Sequence, residues 1–419
     1  MADKSTSIAF IHELNEDCLL SILEYLTLED QVNLWQATKS AIPASRLNSL
    51  ITYNWQKQTK HIIKRDIFQE HLEYLDDYLK CINESVEELE LSYLPIELVE
   101  IFRQHKFPYI QKLYYYADEE DNENGDKDIA LLTEIFPSLR SLVLSGMSTG
   151  LYISKFENLS ELDLEECVCL KPDNFLDISE HLKLRKLSMQ VLASNGPLFI
   201  KALPNLQDIE ELTISMDLLT ETDTVQILRL PKLRKLRYNS DIVRHIPFNS
   251  IVEIRGLDII RATFHDSIYI CNPEIFPKLQ NLQALSIIED YGWNREDLMK
   301  ILQCLSSLEA LHLIETEILR NDEHLWDVVR ICPKLRLVNL TKNCFYQQFF
   351  TSEKEIMEKT LNGRKERLQV NLYQTDLGLN TDMILEHFRH PKLNVTYQDM
   401  DIEHLAESDI QIEFKPLAV

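Results

Sequence analysis

From about residue 86 onward the chain repeats one short phrase. It runs apolar residue, two variable residues, apolar residue, one variable residue, apolar residue. The instances are Val86-Leu89-Leu91, Ile110-Leu113-Tyr115, Leu139-Leu142-Leu144, Leu159-Leu162-Leu164, Leu184-Leu187-Met189, Ile209-Leu212-Ile214 and Leu233-Leu236-Tyr238. They continue with Ile254-Leu257-Ile259, Leu282-Leu285-Ile287, Leu308-Leu311-Leu313, Leu335-Val338-Leu340, and then around Val370-Leu372 and Val395-Tyr397. The middle residues recur about every 25 to 26 residues, a period that marks stacked structural repeats. Alternation at the last two apolar positions predicts a short strand with one face inward, and the rest of each unit predicts a turn and an outer helix that returns the chain. Outer helices are expected at 129–136, 297–305, 324–331 and 383–388, with one more at 353–361 in an inserted stretch. Prolines at Phe136-Pro137, Phe276-Pro277 and Cys332-Pro333 stop a helix just before the next strand. Helices are wider than strands, so the stack is expected to curve with its strands on the concave side. A final strand-like run, 410–414, is expected to cover the open end of the stack.

Before residue 86 the period changes. Leu19, Ile22, Leu23 and Leu26 fall at i, i+3, i+4 and i+7, one stripe of a helix, with Asn15 placed to cap it and Glu16 and Asp17 at its positive end. Thr27, followed three residues later by Asp30, starts a second helix carrying Leu28, Val32 and Trp35. Two helices in ~40 residues rarely hold a sufficient core, so a partner is expected. Residues 51–85, with Trp55, His61-Ile62-Ile63 and Phe68 among Lys57, Lys60, Lys64 and Arg65, read as a helical linker with a solvated basic face.

The stretch 11–39 resembles an F-box. That pattern is roughly Leu-Pro, an Ile-Phe-x-x-Leu helix, Leu-x-Asp-Leu, then Val-Cys-x-x-Trp. Here Leu14, Ile22-Leu23, Tyr25-Leu26, Leu28 and Asp30 match; Asn15 stands where Pro is usual, Gln31 and Val32 where Leu is usual, and 36–39 replace the Val-Cys-x-x-Trp end. The later phrases resemble the leucine-rich repeats of the same family, with Cys167 and Asn343 at the position three residues past the last apolar one. The resemblance implies an α/β chain: an F-box-like helical domain at 8–50, a linker at 51–85, and a curved leucine-rich-repeat solenoid with a C-terminal cap at 86–419. It further implies a substrate-recognition subunit of a Skp-cullin-F-box ubiquitin ligase. Leu14, Leu19, Ile22, Leu23, Leu26, Leu28, Val32 and Leu34 would dock on the Skp adaptor, and through it on the cullin, while catalysis belongs to other subunits.

Composition narrows the partners. A formal charge of −25 opposes binding to nucleic acid or to anionic membranes, both of which need a basic footprint, and so favours protein partners. No basic-then-apolar leader and no run of ~20 apolar residues is present, so a cytoplasmic or nuclear protein is expected. The eight cysteines form no Cys-x-x-Cys pair, so they read as small hydrophobes, and no metal or cofactor is expected. The acidic run 118–128 lacks the spacing of a calcium loop and reads as a solvated excursion.

No nucleotide loop, zinc helix or nucleophile elbow occurs, so an enzyme is not expected. Binding is the chemistry that the pattern favours. The variable residues flanking each strand's apolar positions face outward: Lys112, Tyr114 and Tyr116; Glu161, Asp163 and Glu165; Lys186 and Ser188; Lys235 and Arg237; and His312. Of these, Tyr114, Tyr116, Lys186, Lys235 and Arg237 are the candidate contacts to a protein target, with Lys235 and Arg237 a candidate phosphate site, since guanidinium binds phosphate bidentately. The alternative is a leucine-rich-repeat interaction scaffold without a ligase role, its N-terminal helices only capping the repeats.

Overall fold

The computed structural model describes residues 14–415 apart from 42–45, 69–71, 118–124, 165, 168, 192–195, 217–219, 240–247, 266–272, 290–294, 317, 320–321, 344–353, 376–380 and 401–409. The fold is α/β and built of leucine-rich repeats, and the chain divides into two compact units, 1–190 and 191–419.

The first unit opens with α1 (Glu16–Tyr25), α2 (Leu28–Ala41) and α3 (Arg46–Lys57), followed by β1 (Lys60–Lys64), α4 (Arg65–Phe68) and α5 (Leu72–Ile82). Repeats then run β2 (Glu88–Ser92), α6 (Ile96–Phe102), β3 (Lys112–Tyr116), α7 (Gly125–Ile135), β4 (Ser141–Ser145), β5 (Glu161–Leu164), α8 (Pro172–His181) and β6 (Lys186–Val191). The strands β1 to β6 lie side by side and parallel. Their register aligns Leu89, Leu113, Leu142, Leu162 and Leu187, the middle residues of the repeated phrase. All five are buried, as are the partners two residues on, from Leu91 to Met189.

Two expectations change here. The stretch 51–85 is not a helical linker: it holds β1, which pairs with β2 and starts the sheet. Its middle position is His61, so the phrase that marks the other strands is absent. The acidic run 118–128 is in part the start of α7, with Asp128 buried and accepting from Tyr115 Oη; 118–124 lie outside the described residues.

The second unit runs α9 (Gly196–Ala202), β7 (Glu211–Met216), α10 (Glu221–Leu228), β8 (Lys235–Asn239), α11 (Phe248–Arg255), β9 (Ile259–His265), β10 (Ala284–Ile288), α12 (Arg295–Cys304), β11 (Ala310–Ile314) and α13 (Asp322–Ile331). It continues β12 (Leu337–Asn339), α14 (Lys354–Asn362), β13 (Leu368–Asn371), α15 (Thr381–His387), β14 (Leu393–Thr396) and β15 (Ile410–Phe414). The outer helices α7, α12, α13, α14 and α15 fall where the periodicity places them. Leu285, Leu311, Val338, Val370 and Val395 again align.

The phrase at Ile254-Leu257-Ile259, by contrast, is not a strand. Residues 248–258 are helical, and the strand begins at Ile259, with Ala262 in the aligned place. Nor does β15 cover an end. It runs antiparallel between β8 and β9, pairing Ile412 with Leu236 on one side and Ala262 on the other. Ile410, Ile412 and Phe414 are buried there, so the strand supplies the apolar layer of a missing repeat.

Strand exits share a backbone device. Tyr93, Glu289, Glu315, Lys342 and Gln374 all take φ between 50° and 58°, each four residues after the aligned middle residue. The left-handed corner turns the chain off the sheet, and its cost for a residue with a Cβ is offset by the surrounding repeat. At the same place after Leu142 stands Gly146, at φ 116°, where an added Cβ would lie 2.8 Å from the Ala117 side chain. Asn343 ties two neighbouring exits together: its Oδ1 accepts from Thr316 N at 2.7 Å and its Nδ2 donates to Leu313 O at 2.6 Å.

Candidate protein-binding surfaces

The N-terminal helices are capped as their sequence directs. Asn15 Oδ1 accepts from Cys18 N at 2.8 Å, and Thr27 Oγ1 accepts from Asp30 N at 3.1 Å while Asp30 Oδ2 accepts from Thr27. Their mutual packing depends on Gln31, which is buried. Its Nε2 donates to Leu23 O and Leu26 O, both at 3.0 Å, and so satisfies carbonyls at the end of α1. Its Oε1 accepts from Trp55 Nε1 at 2.8 Å and Asn54 Nδ2 at 3.2 Å, both on α3. One amide thus joins three helices with every strong group used. An aromatic chain carries the packing onward: Trp35 to Trp55 (5.8 Å between ring centres), Trp55 to Tyr78 on α5 (4.9 Å), and Tyr78 to Phe68 (5.5 Å). Tyr78 Oη lies 2.7 Å from His61 Nδ1, and burial pushes His61 down to about 4. The helices therefore share one core with the first strand of the sheet.

That core reassigns the expected docking residues. Leu19, Leu23 and Val32 are buried within the unit and hold the helices together, because the stripe they form faces α3. Leu14, Leu26, Leu28 and Leu34 are half-buried. Ile22 is 36% exposed and Tyr25, which the periodicity left off the docking set, is 91% exposed. The outward apolar surface of α1 is thus Ile22 and Tyr25. Tyr25 was legible as the aromatic one residue before Leu26, off the buried stripe.

In the first unit the sheet's outward positions form rows. One reads Lys60, Glu88, Lys112, Ser141, Glu161, Lys186; the next reads Ile62, Glu90, Tyr114, Val143, Asp163, Ser188. Charges alternate along the first row: Lys60 Nζ donates to Glu88 Oε1 at 2.6 Å, and Lys186 Nζ lies 3.3 Å from Glu161 Oε1. Tyr114 lies under two ammonium groups, Lys112 at 4.5 Å and Lys60 at 5.4 Å from the ring centre. Tyr116 lies 6.5 Å from the half-exposed ring of Tyr93. Burial, then the carboxylates of Glu90 and Glu166, raises the Tyr116 phenol above its ordinary value. The structure brings Tyr114 and Tyr116 together with Tyr93, which the sequence did not single out because it lies beyond the strand. Three tyrosines, one of them beneath two ammonium groups, make a patch suited to a protein surface.

In the second unit, Lys235 and Arg237 do not form an open phosphate site. Glu413 of β15 stands in register between Lys235 and Arg261, with Arg261 Nε 3.6 Å from Glu413 Oε2. Arg237 Nε donates to Gln411 Oε1 at 3.0 Å. A strand 174 residues away in sequence thus brings a carboxylate and an amide to the two cations. His312 is likewise no free contact. It is largely buried, which pushes it down to about 4, and its Nδ1 lies 3.3 Å from Asn339 Nδ2. Asn339 Oδ1 in turn accepts from Asn371 Nδ2 at 3.0 Å, and Asn371 Oδ1 accepts from Thr396 Oγ1 at 2.9 Å. This buried ladder ties β11 to β14 and was legible only as an asparagine directly after Val338 and again after Val370.

Among the described residues no helix is long and apolar enough to cross a membrane. No protein-family profile matches the chain, and no curated protein matches it. Solved structures do. A leucine-rich repeat-containing protein, LegL7, from Legionella pneumophila is 14% identical with a TM-score of 0.39, covering 70% of this chain and 95% of its own. The Rad7 and Elc1 complex in yeast gives 14% identity and a TM-score of 0.32, with 92% of each chain covered. A protein from Bacteroides fragilis gives 13% and 0.25, covering 76% and 74%. Likeness at that level carries no information on activity.

Proposed function

We propose that this chain is a non-catalytic substrate-recognition adaptor of a Skp-cullin-F-box ubiquitin ligase, acting in the cytoplasm or nucleus. In this reading α1 and α2 engage the Skp adaptor and, through it, the cullin. A target protein binds the outward rows of the repeat sheet, with Tyr93, Tyr114 and Tyr116 as anchors. The observation that carries the reading is Ile22 and Tyr25 projecting from a capped helix whose sequence resembles an F-box, on a three-helix unit fastened rigidly to a binding sheet. One observation favours the alternative, a repeat scaffold without a ligase role. The inner stripe of α1 and α2 is already covered by α3, as a simple cap would require.

Purification of the tagged chain with the Skp adaptor and cullin separates the two. The adaptor reading expects stoichiometric co-elution that is lost in Ile22→Asp and Tyr25→Asp, both exposed, with unchanged circular dichroism. Failure of the unmutated chain to retain the Skp adaptor would sink it. Leu23→Asp is uninformative for docking, since an unpaired carboxylate at that buried site costs several kcal/mol in the fold itself, on the order of ~3 to 5.

A further inference from the structure

A cleft of about 970 Å³ lies in the second unit beside α13 and α14 and the turns that follow them. Its size matches a small-molecule site. Six cations line it: Arg330, Lys334, Arg336, Lys359, Arg364 and Lys365. The carboxylates there are Glu309, Asp327 and Glu366, leaving three positive charges in excess in a chain whose net charge is −25. Of the carboxylates, Asp327 is shared by Arg330 and Arg295, and Glu366 lies 3.9 Å from Arg336. Lys334, Lys359 and Lys365 are exposed and, among the described residues, have no carboxylate partner. Arg364 is 8% exposed, and its guanidinium donates only to the carbonyls of Val329, Cys332 and Leu335. Those bonds close the end of α13 and fix the charge in place without neutralising it.

A buried cation with no countercharge, ringed by three unpaired ammonium groups, holds a positive potential that an anion lowers. The ligand's charge must be dense. A carboxylate brings one charge, whereas a phosphoryl group brings about −1.5 to −2 and three acceptor oxygens. Val329, Pro333 and Ile356 give the cleft an apolar wall as well. We propose that this cleft binds a small molecule bearing two or more phosphoryl groups. The cleft shares no lining residue with α1 or with the rows of the first unit, so the proposal stands whether or not the chain serves a ligase.

The test is calorimetric titration of the full chain with inorganic tripolyphosphate, and in parallel with a doubly phosphorylated serine peptide. Lys334→Glu combined with Lys365→Glu is the site variant; Lys106→Glu combined with Lys183→Glu, both exposed in the first unit, is the control for general charge. The expected result is saturable tripolyphosphate binding, weakened at least tenfold by the site variant and unchanged by the control, with circular dichroism unaltered in both. Absence of binding, or equal loss in both variants, would overturn the proposal. So would a peptide that binds ten times more tightly than tripolyphosphate, because the natural ligand would then be a phosphorylated protein segment.

Discussion

Gln31→Leu sets two expectations against each other. By resemblance, leucine is the usual residue there, and the two side chains are close in volume, so the change ought to be harmless or stabilising. The hydrogen bonds say otherwise. Leucine abandons the indole N–H of Trp55 and the amide of Asn54, both on side chains at most 2% exposed. Each orphaned buried donor costs about 1–3 kcal/mol. The two carbonyls at the end of α1 lose Nε2 as well, but Leu23 O keeps a second donor, Leu26 N at 3.2 Å. Against this stands the gain from an apolar side chain, about 1.5–3 kcal/mol on full burial. Taken at their midpoints the two orphans outweigh that gain by about 2 kcal/mol, and the expected loss falls on the first unit. Urea unfolding followed by tryptophan fluorescence would measure it, Trp35 and Trp55 both lying in that core. Adding Asn54→Ala removes one of the orphans, so the double variant should lose less than the sum of the singles. A Gln31→Leu chain as stable as its parent would refute the idea that this amide holds the three helices.

Other outcomes are as specific. His61 and His312 stand at about 4 when folded and near the ordinary ~6.5 when unfolded, so between those values the unfolded chain binds more protons. Their contribution to stability is complete above pH ~6.5 and is lost as pH falls toward 4; melting temperatures at pH 7.5 and 5 should differ, and less so in His61→Gln. Burial pushes the thiols of Cys167 and Cys332 up to about 12, whereas Cys18 is exposed. Iodoacetamide at pH 8 should label Cys18 and spare the other two unless denaturant is added; labelling of Cys332 in the native chain would contradict the packing around it. Asn343→Ala should cost about 1–3 kcal/mol through the orphaned amide of Thr316, seen as faster hydrogen exchange at the β11 exit.

Most of the repeat register is readable because a strand with one face inward must alternate, and leucine at the aligned position makes the alternation loud. β1 was hidden by His61, a polar residue at that position, satisfied by Tyr78 and Gln58 in a way no local pattern announces. β9 was hidden by Ala262, too small to register as apolar, while Ile254 and Leu257 of the preceding helical turns imitated the phrase. The binding surfaces were less legible still. Periodicity put Leu19, Ile22, Leu23 and Leu26 on one stripe; Leu19 and Leu23 are buried and Ile22 is exposed, because a stripe shows only that something covers part of it, and here α3 does. Lys235 and Arg237 looked like a free basic step because the strand that brings Glu413 and Gln411 beside them is contributed from far along the chain.

The insertion of β15 also sets a timetable for synthesis. An ordinary array of repeats can fold as it leaves the ribosome, each unit docking on the one before. In the second unit that order is broken: β9 follows β8 in sequence but does not pair with it, since the antiparallel strand lies between them. Both strands must wait with unpaired edges until residues 410–414 arrive, some 145 residues after β9 itself, by the ~5–20 residues per second of translation a delay of roughly 7–30 s. A nascent chain paused before that point carries an unfilled slot between two strands, and it is there that a chaperone would find its hold.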